Sequence, residues 1–108
     1  MSWQELAIEV GKQFDEQAQA RGELIRHIDS TRFFTLALAG EAGELANLVK
    51  KGWRGDRLDL WAMVKEMADI RIYLFRLEQH LGINLDDVCE IKLREVQKRL
   101  ADKAGGGA

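Results

Sequence analysis

At 108 residues the chain can build one domain around one small core, and its 46% hydrophobic and 31% charged composition is that of an ordinary globular protein, not a disordered one. A formal net charge of −2 excludes a general attraction to nucleic acid or to an anionic membrane, so an anionic ligand must be met by a local basic cluster or a metal ion. The lone Cys89 excludes an internal disulfide, and with no signal-like segment or membrane-length apolar run the expected compartment is the cytoplasm, without a membrane or nucleic-acid partner.

Proline is absent, so long helices are permitted throughout. The first is expected over Ser2 to Ala20: Trp3, Leu6, Ala7, Val10, Phe14 and Ala18 recur near helical spacing, and Ser2 with Glu5 forms a capping box. Gly22 marks a break, and the polar stretch Glu23 to Asp29 offers only Leu24 and Ile28 as apolar anchors, leaving its structure open. Asp29, Ser30 and Thr31 supply N-caps for a second helix over Phe33 to Lys51, ended by Gly52 with Lys50 and Lys51 in its last turn. Gly40 and Gly43 each weaken that helix by up to about 1 kcal/mol, which suggests close approach of another backbone or a ligand.

Gly52 to Arg57 reads as the loop of a helical hairpin, which makes its two helices antiparallel neighbours. Trp53 in this loop suits a core anchor, a partner contact or a surface for stacking a base. A third helix follows over Leu58 to His80, with Asp59 as a cap and Gly82 as its stop. Ile72 and Phe75, together with Leu36, fall off the main stripes and provide a second apolar face, as for a helix inside a bundle or at a dimer contact. Asn84 caps a fourth helix with the stripe Leu85, Val88, Cys89, Val96 and Leu100, in which Cys89 reads as a small core residue. Lys92 is centred on that stripe and Arg99 lies two turns on; either a long side chain snorkels from an apolar face, or it is aimed at phosphate. The expected fold is all-α, a four-helix antiparallel bundle-like chain over 1–103 with a flexible Gly-rich tail over 104–108.

Charge placement points to function. Glu41-x-x-Glu44 and Glu66-x-x-Asp69 sit in matching apolar settings: superposed on Glu41 and Glu66, Leu38 matches Met63, Leu45 matches Ile70, Leu48 matches Tyr73 and Val49 matches Leu74. At about 100° per residue, Glu41 and Glu66 are centred on apolar stripes, with Glu44 and Asp69 at the edges. The bland reading is four solvated acids flanking a narrow core. A carboxylate on a core-facing stripe is costly to desolvate unless it is protonated, hydrogen-bonded or bound to a cation, and the duplicated pattern favours a site. Two such pairs on antiparallel helices form a set of hard oxygen ligands suited to Mg²⁺ or Mn²⁺, and Mg²⁺ commonly completes its shell with substrate phosphates. A di-iron carboxylate bundle wants Glu-x-x-His on two helices, and neither acidic pair is followed by such a histidine; His27 and His80 are distant in sequence. No glycine-rich phosphate loop, nucleophile elbow or CxxC pair is present.

These residues, in the settings Leu38-Ala39-Gly40-Glu41-Ala42-Gly43-Glu44-Leu45 and Lys65-Glu66-Met67-Ala68-Asp69-Ile70, resemble the MazG-like all-α nucleoside triphosphate pyrophosphohydrolases and the related dCTP pyrophosphatase branch. The likeness covers Arg32 to Arg99. It implies Mg²⁺-dependent hydrolysis of an NTP or dNTP between the α and β phosphates, in nucleotide-pool housecleaning. By that match Glu41, Glu44, Glu66 and Asp69 are metal ligands and catalytic residues, with one of them, or a metal itself, activating the attacking water. Lys92, Lys98 and Arg99 resemble the family's basic residues on the last helix and, with Trp53, are the substrate-binding candidates. The chain departs from the family pattern at Val96, where an asparagine is frequent. Relative to the dCTP branch, Asp29 stands near a histidine position and Trp53 lies slightly beyond a tryptophan position. Such proteins are generally dimers or tetramers whose site is completed by a neighbouring subunit. The alternative is a non-catalytic helical binding or assembly module with a structural or regulatory cation site.

Overall fold

The structure, a computed structural model, describes residues 1–21 and 27–106. They form four helices, α1 (Trp3–Ala20), α2 (His27–Trp53), α3 (Leu60–Leu81) and α4 (Leu85–Gly106), with no strand among the described residues. The fold is all-α, as the periodicity predicts. The expected break at Gly22 lies outside the described residues.

Helix ends follow from local chemistry. The capping box of α1 is reciprocal: the Ser2 N–H donates to Glu5 Oε2 at 3.2 Å and the Glu5 N–H to Ser2 Oγ at 3.1 Å. Asp59 caps α3 by accepting from the Ala62 N–H at 3.0 Å, and Asn84 Oδ1 accepts from the Asp86 N–H at 3.0 Å at the start of α4.

The start of α2 differs from expectation. Asp29, Ser30 and Thr31 do not cap it; the helix begins at His27 and runs through them, and the Thr35 hydroxyl donates back to the Thr31 carbonyl at 2.7 Å. Polar residues inside a helix each cost no more than about 0.7 kcal/mol, which added helical hydrogen bonding offsets.

The stop also moves, from Gly52 to Gly55. The Asp56 N–H donates to the Lys51 carbonyl and the Gly55 N–H to the Gly52 carbonyl, both at 3.2 Å, and Gly55 has φ +100°, completing a Schellman turn. Gly52 matters for close approach instead. A Cβ built there would lie 3.1 Å from Leu58 Cβ, so its bare backbone lets the hairpin close. Gly82 ends α3 as expected, with φ 68° and the same paired bonds to the Gln79 and Glu78 carbonyls.

α2 and α3 form the antiparallel hairpin, and α1 packs against α3. Trp3 of α1 meets Phe75 edge-to-face at 5.1 Å, and the Arg71 guanidinium lies 5.1 Å from the Trp3 ring centre. Gly11 is buried against Arg76, whose guanidinium covers the Phe34 ring at 4.6 Å. Phe34, 8% exposed, is the one buried hydrophobic residue among those described. α4 has no comparable packing on the other helices; it is tied to α3 at its start, where the Leu85 N–H donates to Glu78 Oε1 at 2.7 Å. Cys89 is therefore exposed, not a core residue, because α4 has no substantial packing on another helix among the described residues. Along its length α4 is held by exposed ion pairs, Arg94 to Glu90 at 2.8 Å and Lys92 to Glu95 at 3.8 Å, each of small energetic value.

Candidate metal centre

The side of α2 that faces α3 carries Phe34, Ala37, Leu38, Glu41, Leu45 and Leu48, all buried or half-buried, and Glu41 lies in the middle of them. On α3 the matching side carries Met63, Glu66, Asp69, Ile70, Tyr73 and Leu77. Helical repeat thus forces both glutamates into the hairpin interface along with the apolar residues that drive the pairing.

There they meet. One carboxylate oxygen each from Glu41, Glu66 and Asp69 lies within 4.8 Å of the others, and all three side chains are half-buried. Glu41 Oε2 and Glu66 Oε2 are covered from solvent with no hydrogen-bond donor. The proximity raises the Glu41 pKa from 4.5 to about 7, first through the hydrogen bond its carboxyl forms with Glu66 when a proton is shared, then through burial, then through the charges of Glu44, Asp69 and Glu66. Fully ionised, these carboxylates repel one another across the hairpin, so a proton or a cation is required.

The residues fit a divalent cation. Two orphaned, covered oxygens and a third carboxylate form a hard-donor set with no histidine or cysteine in it, as Mg²⁺ or Mn²⁺ prefers. Among the described residues no histidine joins the cluster, and His80 meets Phe34 edge-to-face, with ring centres 6.4 Å apart.

The other sequence candidates lie elsewhere. Glu44 is exposed and outside the triplet, acting on Glu41 through its charge. Lys92, Lys98 and Arg99 are exposed on α4, and Lys92 pairs with Glu95 of its own helix. Trp53, at the last turn of α2, is 90% exposed, so it is no core anchor within the chain. Gly40 and Gly43 have nothing within 4 Å of the space a Cβ would fill, so no described backbone of the same chain approaches them. Lys65, over the Trp61 ring at 5.8 Å and next to Glu66, is a contact that the sequence reading misses although the i, i+4 aromatic–lysine spacing announces it.

Among known proteins, the chain is similar to the Gene 37 protein of Mycobacterium phage L5, with 35% identity over 80 residues that cover 67% of this chain and 68% of that protein. It belongs to the same family. No protein-family profile matches the chain. No solved structure matches it. Among the described residues, no helix is long and apolar enough to cross a membrane.

Proposed function

We propose that the Glu41, Glu66 and Asp69 cluster binds Mg²⁺ or Mn²⁺ and that the protein hydrolyses a nucleoside triphosphate, NTP or dNTP, to the monophosphate and pyrophosphate. The observation that carries this reading is the pair of covered, donorless oxygens in the α2–α3 hairpin beside a third carboxylate. Structural acids normally have a donor or reach water, and a divalent cation would satisfy these two oxygens where a proton shared between Glu41 and Glu66 otherwise does. The resemblance of the two acidic motifs to MazG-like pyrophosphohydrolases supplies the substrate class.

Bound in this cluster, a divalent cation would screen the phosphate oxygens and provide Lewis acidity at the reacting phosphoryl group. The chain's own residues do the rest. Glu41, Glu66 and Asp69 fix the position of the charge, Glu44 stands at the solvent edge of the same helix face, and a carboxylate of the set takes the proton of the attacking water as the bridging P–O bond breaks. Lys92, Lys98 and Arg99 are the cations available to phosphate, and because α4 does not pack on its own hairpin, they would reach the acids of a neighbouring copy in a dimer or tetramer. Trp53 is exposed enough to stack on a base.

Incubation with a panel of NTPs and dNTPs plus Mg²⁺, with the products resolved, tests the proposal. Nucleoside monophosphate and pyrophosphate are expected. Release of orthophosphate, or no turnover of any nucleotide, overturns it and leaves the cation-bound assembly module.

A further inference from the structure

Charge is distributed unevenly along the α2–α3 hairpin. Its closed end, from Lys50 to Lys65, holds five basic residues and two acidic ones, whereas the whole chain carries −2. The closed end is therefore +3 and the remainder −5, a separation that the whole-chain charge averages away. Lys50, Lys51, Arg54 and Arg57 are exposed and have no ion-pair partner among the described residues. One of the two acids, Asp59, is engaged by the Ala62 N–H as the cap of α3.

Apolar groups share this end. Trp53 is 90% exposed, Trp61 67% and Leu60 62%. The turn is closed by backbone hydrogen bonds, by the left-handed Gly55 and by the approach of Leu58 to Gly52, so the two indoles and Leu60 are not needed to close it. Exposed apolar side chains bordered by one sign of charge mark a surface for another body. Its chemistry says which. Single-stranded nucleic acid would use the indole faces and the cations but would leave the leucine in water. An anionic lipid surface takes all three together: indoles at headgroup level, leucine in the outer acyl region, and lysine and arginine against the phosphates.

We infer that the closed end of the hairpin docks on an anionic phospholipid surface, with Trp53, Leu60 and Trp61 entering the interface and Lys51, Arg54 and Arg57 against the headgroup phosphates. The association is peripheral, since among the described residues no helix is long and apolar enough to cross a membrane. It also keeps the acids back from a surface that repels them. Glu66 stands more than one turn beyond Trp61 on α3, and Glu41 about three turns before Trp53 on α2. The inference rests on surface chemistry, not on the hydrolase reading. Because Trp53 serves that reading too, the test uses other residues.

Cosedimentation of the full chain with sucrose-loaded vesicles, of phosphatidylcholine alone or with about one third phosphatidylserine, tests it at about 0.15 M salt. Binding to the phosphatidylserine vesicles is expected to be about tenfold or more tighter, and to fall steeply at about 0.5 M salt. Trp61→Ala, and Arg54→Gln combined with Arg57→Gln, are each expected to weaken it by on the order of tenfold with the circular dichroism spectrum unchanged. These side chains are exposed, so the variants keep the hairpin packing. No binding to anionic vesicles overturns the inference, as does equal binding to both vesicle types or binding that neither variant weakens. Retention of a single-stranded oligonucleotide without vesicle binding overturns it in favour of nucleic acid. A self-associated species that Trp61→Ala disperses, again without vesicle binding, overturns it in favour of a second copy. Nucleotide hydrolysis is not read here, so each outcome leaves the hydrolase proposal to its own test.

Discussion

The α2–α3 hairpin and the helices that flank it are built from similar amphipathic sequences but end in different circumstances. α2 and α3 cover one another along their length, enclose Phe34 and bring three carboxylates together. α1 is held by one face only, and α4 by its first residues and by exposed ion pairs. A stripe stabilises only where another stripe meets it, so the hairpin is the ordered frame of the carboxylate cluster, and the flanks keep apolar side chains exposed.

The largest expected effect lies inside the hairpin. Glu66→Gln should lower the proposed Mg²⁺-dependent nucleotide hydrolysis by on the order of 100-fold or more while the helices persist, because it removes a proposed ligand and relieves charge crowding at once. Pyrophosphate release with parallel circular dichroism measures both, and loss of helix together with activity would give the acids a structural role instead. Next in size, Phe34→Ala should destabilise the fold by about 3 kcal/mol in urea titrations, since it empties the one buried hydrophobic position among the described residues and removes the ring under Arg76.

A smaller effect is a pH dependence confined to the hairpin. The folded pKa of Glu41 is raised to about 7 from 4.5, so the native state holds more protons than the unfolded chain between those values, and metal-free stability should fall as pH rises from about 4.5 to 7. Glu41→Gln should flatten that part of the profile, and Mg²⁺ should restore stability at the alkaline end. Thermal melts across pH, with and without Mg²⁺, check the sign. The smallest effects separate the two regions most directly: Gly82→Ala, at φ 68°, should cost about 1 to 2 kcal/mol, whereas Ser2→Ala at the α1 capping box should cost about 1 kcal/mol or less. Equal losses at the two sites in urea titrations would show that α1 is as tightly integrated as the hairpin.

Much of the helical framework is legible in the residues alone. The caps at Ser2, Asp59 and Asn84 and the stop at Gly82 are set by local hydrogen bonding and backbone sterics, which a few adjacent residues specify. The ends of α2 are not, because Asp29, Ser30 and Thr31 are cap-forming types that an ongoing helix also accommodates, and because Gly52 and Gly55 look alike until packing assigns one to close approach and the other to a left-handed turn. The stripe of α1 misleads for another reason: periodicity shows that a face is apolar, not which neighbour covers it.

The two acidic pairs mark the division between sequence and structure. The 3.6-residue repeat by itself determined that Glu41 and Glu66 share their helix faces with the residues that pair α2 with α3, and therefore that their charge would be brought to an interface. Tertiary structure alone decided which edge acids join them. Asp69 and Glu44 hold equivalent places in the two motifs, yet Asp69 lies in the cluster and Glu44 faces solvent, because the axial rotation of each helix in the hairpin turns one edge inward and the other out. That rotation depends on how whole side-chain surfaces interlock across the pair, a property that no single motif encodes.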